Sequence, residues 1–168
     1  MRLFINSSLI RFLPRGRAVV PSSVLTLGVF LLLLFGCSLE QEEPIDPTFE
    51  HEPVGDSLKE IRSWMCVNIQ YESEEEDNWR MPEETYQRGG GDCEDLAILL
   101  MYFLWENGEG SELVLVESDE VKKGTHHALV RYNGELLEGY GFEAERDRYG
   151  DVQETYTFQE ALRECKEI

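Results

Sequence analysis

The chain has 168 residues, with 34 acidic against 15 basic side chains and a net charge of -19. That length holds one ordinary domain rather than two large ones. The charge argues against nucleic acid, whose phosphates need clustered Lys and Arg, and against electrostatic adhesion to anionic lipid. With 42% hydrophobic and 11% aromatic residues the chain is too apolar to be disordered. Its four cysteines, with no Cys-x-x-Cys pair, exclude a dense disulfide scaffold and a four-cysteine zinc site.

Arg2, Arg11, Arg15 and Arg17 are the only charges in the first 36 residues, and Ala18 to Gly36 carries none. A basic start followed by an apolar run is the pattern of a secretory signal. The run ends Leu34-Phe35-Gly36-Cys37-Ser38, which resembles a bacterial lipobox, so Cys37 is the expected lipidation site. An uncleaved membrane anchor is the alternative, because 19 residues just suffice to span. Both place the remainder outside the cytoplasmic membrane, in the cell envelope, with the arginines inside. With four of the 15 basic residues gone, 34 acids face 11 bases, a net charge of -23. Residues 37–54 hold Pro44, Pro47 and Pro53 among six acids and read as a tether. Residues 55–168 then form the domain.

Ser57 and Glu60 are spaced as a capping box, and Leu58, Ile61, Met65 and Ile69 follow at helical spacing. They predict a helix over 57–68. Pro82 to Thr85, with proline first and acids in the first turn, predicts a short helix. Three glycines, 89–91, break the chain, and Asp92 is a good N-cap for a helix over 93–107 that is apolar on nearly all sides. The period then changes. Strands are expected over 113–116 and 126–132, and Asn133-Gly134 is a strong hairpin signal with a return strand over 135–140. A last strand over 151–157 and a terminal helix over 158–165 complete an α+β domain.

Cys93 opens the central helix, where unpaired N–H groups and the helix dipole favour the thiolate. The alternative is an inert buried thiol. A nucleophilic cysteine needs a base and the base an orienter. After the leader only three histidines remain: His51 in the tether, and the neighbours His126 and His127. Adjacent strand residues face opposite ways, so at most one of that pair serves a shared site. With a two-residue turn at Asn133-Gly134, Leu129 faces Glu138 and His127 faces Tyr140, which sets Glu138 one diagonal step from His127 on the same face. The only return-strand acid on the face of His126 is Glu135, at the far end of the hairpin. Cys66 and Cys165 are either two buried thiols or a disulfide. No metal is expected. No His, Cys and acid grouping has zinc spacing, and Glu72 to Asp77 lacks the spaced ligands and turn glycine of a calcium loop.

Trp79-Arg80-Met81-Pro82-Glu83-Glu84-Thr85 and Gly91-Asp92-Cys93-Glu94-Asp95-Leu96-Ala97-Ile98-Leu99-Leu100 resemble two blocks of the bacterial transglutaminase-like domain. His127-Ala128 followed by a hairpin resembles the block that carries that family's histidine. The resemblance covers about Asp56 to Gly141. It implies a papain-like core, a Cys-bearing central helix packed on an antiparallel sheet, and a catalytic triad of Cys93, His127 and an acid. Glu138 stands where the family has Asp. The resemblance also implies an upstream polar oxyanion donor, for which Gln70 and Trp79 are candidates. No cofactor is implied.

The expected function is a membrane-anchored thiol enzyme acting on amide or peptide bonds of proteins or peptides, with hydrolysis favoured over amine transfer. The alternative is a catalytically silent peptide-binding or structural envelope lipoprotein.

Overall fold

A computed structural model describes residues 42–73, 78–118 and 125–166. The signal segment, Cys37 and most of the acidic run after Glu72 lie outside the described residues. The chain divides between Glu42 and Glu43, and the helices and strands of the described residues all belong to the unit from Glu43 onward. Among the described residues no helix is long and apolar enough to cross a membrane.

Helix α1 (Leu58–Asn68) starts at Ser57, whose side chain accepts from the Glu60 N–H. Strand β1 (Gln70–Tyr71) follows at once. Helix α2 (Pro82–Arg88) begins at its proline and stops at Gly89 in the left-handed region, φ 68°. Strand β2 (Gly90–Gly91) pairs with β1 in parallel, Gln70 opposite Gly90 and Tyr71 opposite Gly91. This two-residue ladder is not legible in the sequence. Helix α3 (Cys93–Glu106) is capped by Asp92 and buried without a break from Glu94 to Leu104. Its leucines fill the middle of the domain, each such side chain contributing about 1.5–3 kcal/mol by burial.

Strands β3 (Glu112–Ser118), β4 (Thr125–Tyr132), β5 (Glu135–Leu137) and β6 (Val152–Thr157) make an antiparallel sheet of order β5-β4-β3-β6. Helix α4 (Phe158–Glu164) ends the domain behind a Thr157–Glu160 capping box. Leu113, Leu115, Ala128, Val130 and Leu137 turn one face to α3. Val114, Val116, Leu129 and Ala144 form a smaller cluster with Tyr149 on the other. This is an α+β domain with the Cys-bearing helix packed on an antiparallel sheet.

Two expectations need correction. The acidic Pro-containing segment is not a free tether from Ile45 on. Ile45 exchanges two backbone hydrogen bonds with the Gln159 side chain, at 2.8 and 3.0 Å, and Phe49 stacks on Tyr102 at 4.8 Å. His51, in the same segment, meets Glu106 at 2.8 Å. Its apolar residues, spaced among the acids, find partners on the helices and so lie on the domain.

The return strand stops at Leu137 rather than reaching Tyr140. The register of the hairpin is Tyr132–Glu135, Arg131–Leu136 and Val130–Leu137, around a turn with positive φ at both Asn133 and Gly134. Beyond Leu137 the chain turns over, with Glu138 N–H donating to Phe142 O at 2.7 Å and Gly141 N–H to Glu138 O at 2.6 Å. The turn brings Gly139 close against α3, where a Cβ would stand 2.7 Å from Leu96 Cβ.

Candidate active site

The early end of β5 opens the site. In a continued hairpin, Ala128 would form a hydrogen-bonded pair with residue 139. Instead the Ala128 N–H is near enough to Cys93 to favour its thiolate. The first turn of α3 thus sits at a stretch of β4 that has no β5 partner, and Cys93 lies against the peptide that joins His127 to Ala128.

His127 belongs to the sheet face opposite the α3 side, since it pairs with Val116. Its Nε2 lies 2.9 Å from Glu138 Oε2. Leu136 packs on that same face, so Glu138, two residues on, reaches His127 there. Tyr149 completes the group: its ring stacks on the imidazole, centroids 5.1 Å apart and planes within 5°, and its hydroxyl donates to Glu138 Oε1 at 2.5 Å. Burial pushes the Glu138 carboxyl up, but the hydrogen bonds from His127 and Tyr149 and the nearby charges of His127 and Arg148 outweigh it and hold it below its ordinary range. With Nε2–H donating to Glu138, the neutral ring carries its lone pair on Nδ1, the nitrogen left for proton exchange.

Cys93 departs from the expectation of a ready thiolate. Its Sγ–H donates to Glu94 Oε2 at 3.0 Å. Burial raises the thiol above its ordinary range, and the Glu94 and Asp92 carboxylates raise it further; only the Ala128 N–H pulls it down. Two flanking acids and a dry setting outweigh the helix dipole, which is worth about 0.3–1 kcal/mol in ordinary exposed settings. Among the described residues Cys93 makes no hydrogen bond to His127.

Tyr71 is a neighbour that the sequence pattern does not reveal. Register sets it opposite Gly91, two residues before the nucleophile position. Burial raises its phenol, and Cys93, Asp92 and Glu94 each add to the rise, so it shares their local field. Tyr140, just past Glu138, donates to Ile69 O at 3.2 Å and ties the acid-bearing turn to the start of β1. Of the two oxyanion candidates, Gln70 is exposed on β1 beside Gly90. Trp79 instead packs edge-on against Tyr156, with centroids 5.3 Å apart, among the residues lining the core. His126 is exposed, and its side chain makes no hydrogen bond or ion pair among the described residues.

Asp95, also in the first turn of α3, is fully buried and accepts from the Arg80 backbone N–H at 2.8 Å and from the Arg80 guanidinium. Gly91 makes room for it, since a Cβ there would stand 2.5 Å from Asp95 Cβ. The Trp79-Arg80 block is thereby fastened over the start of the helix. Cys66 and Cys165 are free thiols, Cys66 exposed and Cys165 donating to Arg80 O and Ala161 O. No group of three His, Cys, Asp or Glu suited to a metal occurs among the described residues. An open groove of about 790 Å³ lined by Phe49, His51, Tyr86 and Glu106 lies at the far end of α3, about 20 Å from Cys93, and holds none of these groups.

No family model and no curated protein matches the sequence. Among solved structures the chain is similar to LapG of Legionella pneumophila. In its EGTA-treated form the TM-score is 0.45 at 23% identity, over 62% of each chain. A second LapG structure gives 0.45 at 21% identity, over 64% of this chain and 71% of that one. A candidate cysteine protease of Cytophaga hutchinsonii gives 0.47 at 16% identity, over 63% of this chain and 37% of that one. The chain therefore spans less than two thirds of the length of the first and third of these. At these identities the likeness is one of fold.

Proposed function

We propose that the chain is a transglutaminase-like thiol enzyme that attacks amide carbonyls of peptides or proteins, held outside the cytoplasmic membrane by a lipid on Cys37. The observation that carries the reading is the pairing of His127 Nε2 with Glu138 at 2.9 Å, next in the chain to an Ala128 N–H that favours the thiolate of Cys93. The arginine-bearing start and the apolar run to Gly36 support the anchor.

In this reading Cys93 is a neutral thiol at rest. On substrate entry its proton leaves Glu94 and passes to His127 Nδ1, and Sγ attacks the carbonyl carbon. A C–S bond forms and the carbonyl π pair moves to oxygen, within reach of the Cys93 N–H at the helix start. Collapse breaks the C–N bond, and the departing amine takes the proton from His127. The thioester is then opened by water, whose proton again goes to His127 and returns to sulfur. Glu138 holds the imidazole in the tautomer this requires. Water as acceptor makes the enzyme a peptidase or amidase; an amine makes it a transferase. Hydrolysis is preferred because the described residues present no separate acceptor site.

The test is incubation of the full chain with a mixed peptide pool and dansylcadaverine. New peptide amino termini that vanish in Cys93→Ala and His127→Ala are the expected result; dansyl incorporation instead would mark a transferase. The Cys93–Glu94 hydrogen bond favours a second reading, a silent peptide-binding lipoprotein whose thiol never ionises. That reading requires neither product to form while a peptide binds equally to wild type and Cys93→Ala.

A further inference from the structure

We propose that Tyr149 is a positioning residue for the His127–Glu138 pair, the element that lets a glutamate act as the orienting acid. The proposal rests on the thiol-enzyme reading and adds a residue to it.

A glutamate has one more side-chain torsion than an aspartate. A single acceptor bond to imidazole fixes one of its oxygens and leaves the carboxylate plane free to swing. Here both oxygens are held by different donors, His127 Nε2 on Oε2 and the Tyr149 hydroxyl on Oε1. The same tyrosine lies flat on the imidazole, so one side chain fixes both members of the pair relative to each other. Stacking also covers one face of the ring and limits its rotation about χ2. The hydroxyl is a second donor to the carboxylate, which favours its ionised form.

Tyr149 is not a loose loop residue. It follows the 3-10 turn Arg146–Arg148 in extended conformation and packs on the cluster of Val114, Val116, Leu129 and Ala144. The next residue is pinned to the end of β3, with Gly150 N–H donating to Glu117 O at 2.9 Å and Glu117 N–H to Asp151 O at 3.2 Å. A ring delivered by that anchored segment meets His127 from the sheet face away from α3. It touches the base and the acid, and its role is exerted through them.

The experiment is acylation of Cys93 in the full chain by p-nitrophenyl acetate, mapped by mass spectrometry across pH, with exposed Cys66 as internal reference. Tyr149→Phe keeps the stack and removes the donor; it should slow Cys93 acylation about tenfold and move the acid limb of the rate to higher pH. Tyr149→Ala removes both and should lose more. In a Glu138→Gln background Tyr149→Phe should add no further loss, because its partner oxygen has changed. Melting temperatures of each variant separate a folding defect from a kinetic one. A Tyr149→Phe rate within twofold of wild type with an unmoved acid limb overturns the proposal, as does an equal loss in the Glu138→Gln background. If wild-type Cys93 is acylated no faster than Cys66, it is the thiol-enzyme reading that fails, and the two failures are distinct.

Discussion

Two acid–base side-chain pairs, Arg80–Asp95 and His127–Glu138, serve opposite ends. Arg80–Asp95 is dry: the Asp95 side chain has 0% exposure and its partner 16%. His127–Glu138 is half open, at 22% and 27%. In the first, burial outweighs the bonds from Arg80 and pushes the Asp95 carboxyl up to about 6. In the second, hydrogen bonds outweigh burial and hold Glu138 low. The first partner is a guanidinium that never gives up its proton; the second is an imidazole that can. The two pairs thus differ in what they are able to do. One fastens the Trp79-Arg80 block to the helix, and the other is able to move a proton.

The comparison breaks most directly by truncating each acid. Asp95→Ala removes the buried acceptor of both the Arg80 N–H and its guanidinium and should cost about 3–5 kcal/mol of stability in a denaturant melt. Glu138→Ala should cost within about 1 kcal/mol, while slowing any Cys93 acylation. Equal stability losses would erase the distinction. The pH dependence sharpens it. The Asp95 pKa is raised by folding, so its contribution to stability is complete below about 3.8 and is lost as pH rises through about 6. Glu138 runs the other way: its contribution is present above its ordinary 4.5 and is lost as pH falls through the lowered value. The melting-temperature difference between wild type and Asp95→Asn should therefore shrink from pH 4 to pH 7. A smaller effect belongs to Glu94. Glu94→Gln removes a charge that raises the thiol, so iodoacetamide should label Cys93 several-fold faster at pH 7 than in wild type. An unchanged or slower rate would mean that Glu94 does not restrain the thiol.

Caps and turns were the most legible features of the sequence. Ser57 and Asp92 start their helices through local hydrogen bonds, and such bonds need only near neighbours. Asn133-Gly134 fixed the hairpin register down to Val130–Leu137, because both residues tolerate positive φ. Beyond that point the pattern misleads. Residues 138–140 still read as strand, but the chain turns over after Leu137 and lays Gly139 close against Leu96. Parity nonetheless carried Glu138 to the face of His127, since the turn-over comes after it. The β1–β2 ladder is too short to have a period, and the packed stretch from Ile45 looks like any acidic linker. Tyr149 had no signal at all: it stands 11 residues from Glu138 in a segment without repeat or motif. The Cys93–Glu94 bond was missed for another reason, as the dipole argument counts backbone charges and leaves out the side chain next door.

The central claim is that Cys93, half-buried and restrained by an acid, is nevertheless the cysteine that His127 drives. One measurement addresses it: the rates at which p-nitrophenyl acetate acylates Cys93 and exposed Cys66 at pH 7, in the full chain and in His127→Ala. The account predicts that Cys93 reacts faster than Cys66 despite its burial. It also predicts that His127→Ala slows Cys93 by about 10²–10⁴-fold while leaving Cys66 alone. A Cys93 slower than Cys66, or one indifferent to His127, would contradict it.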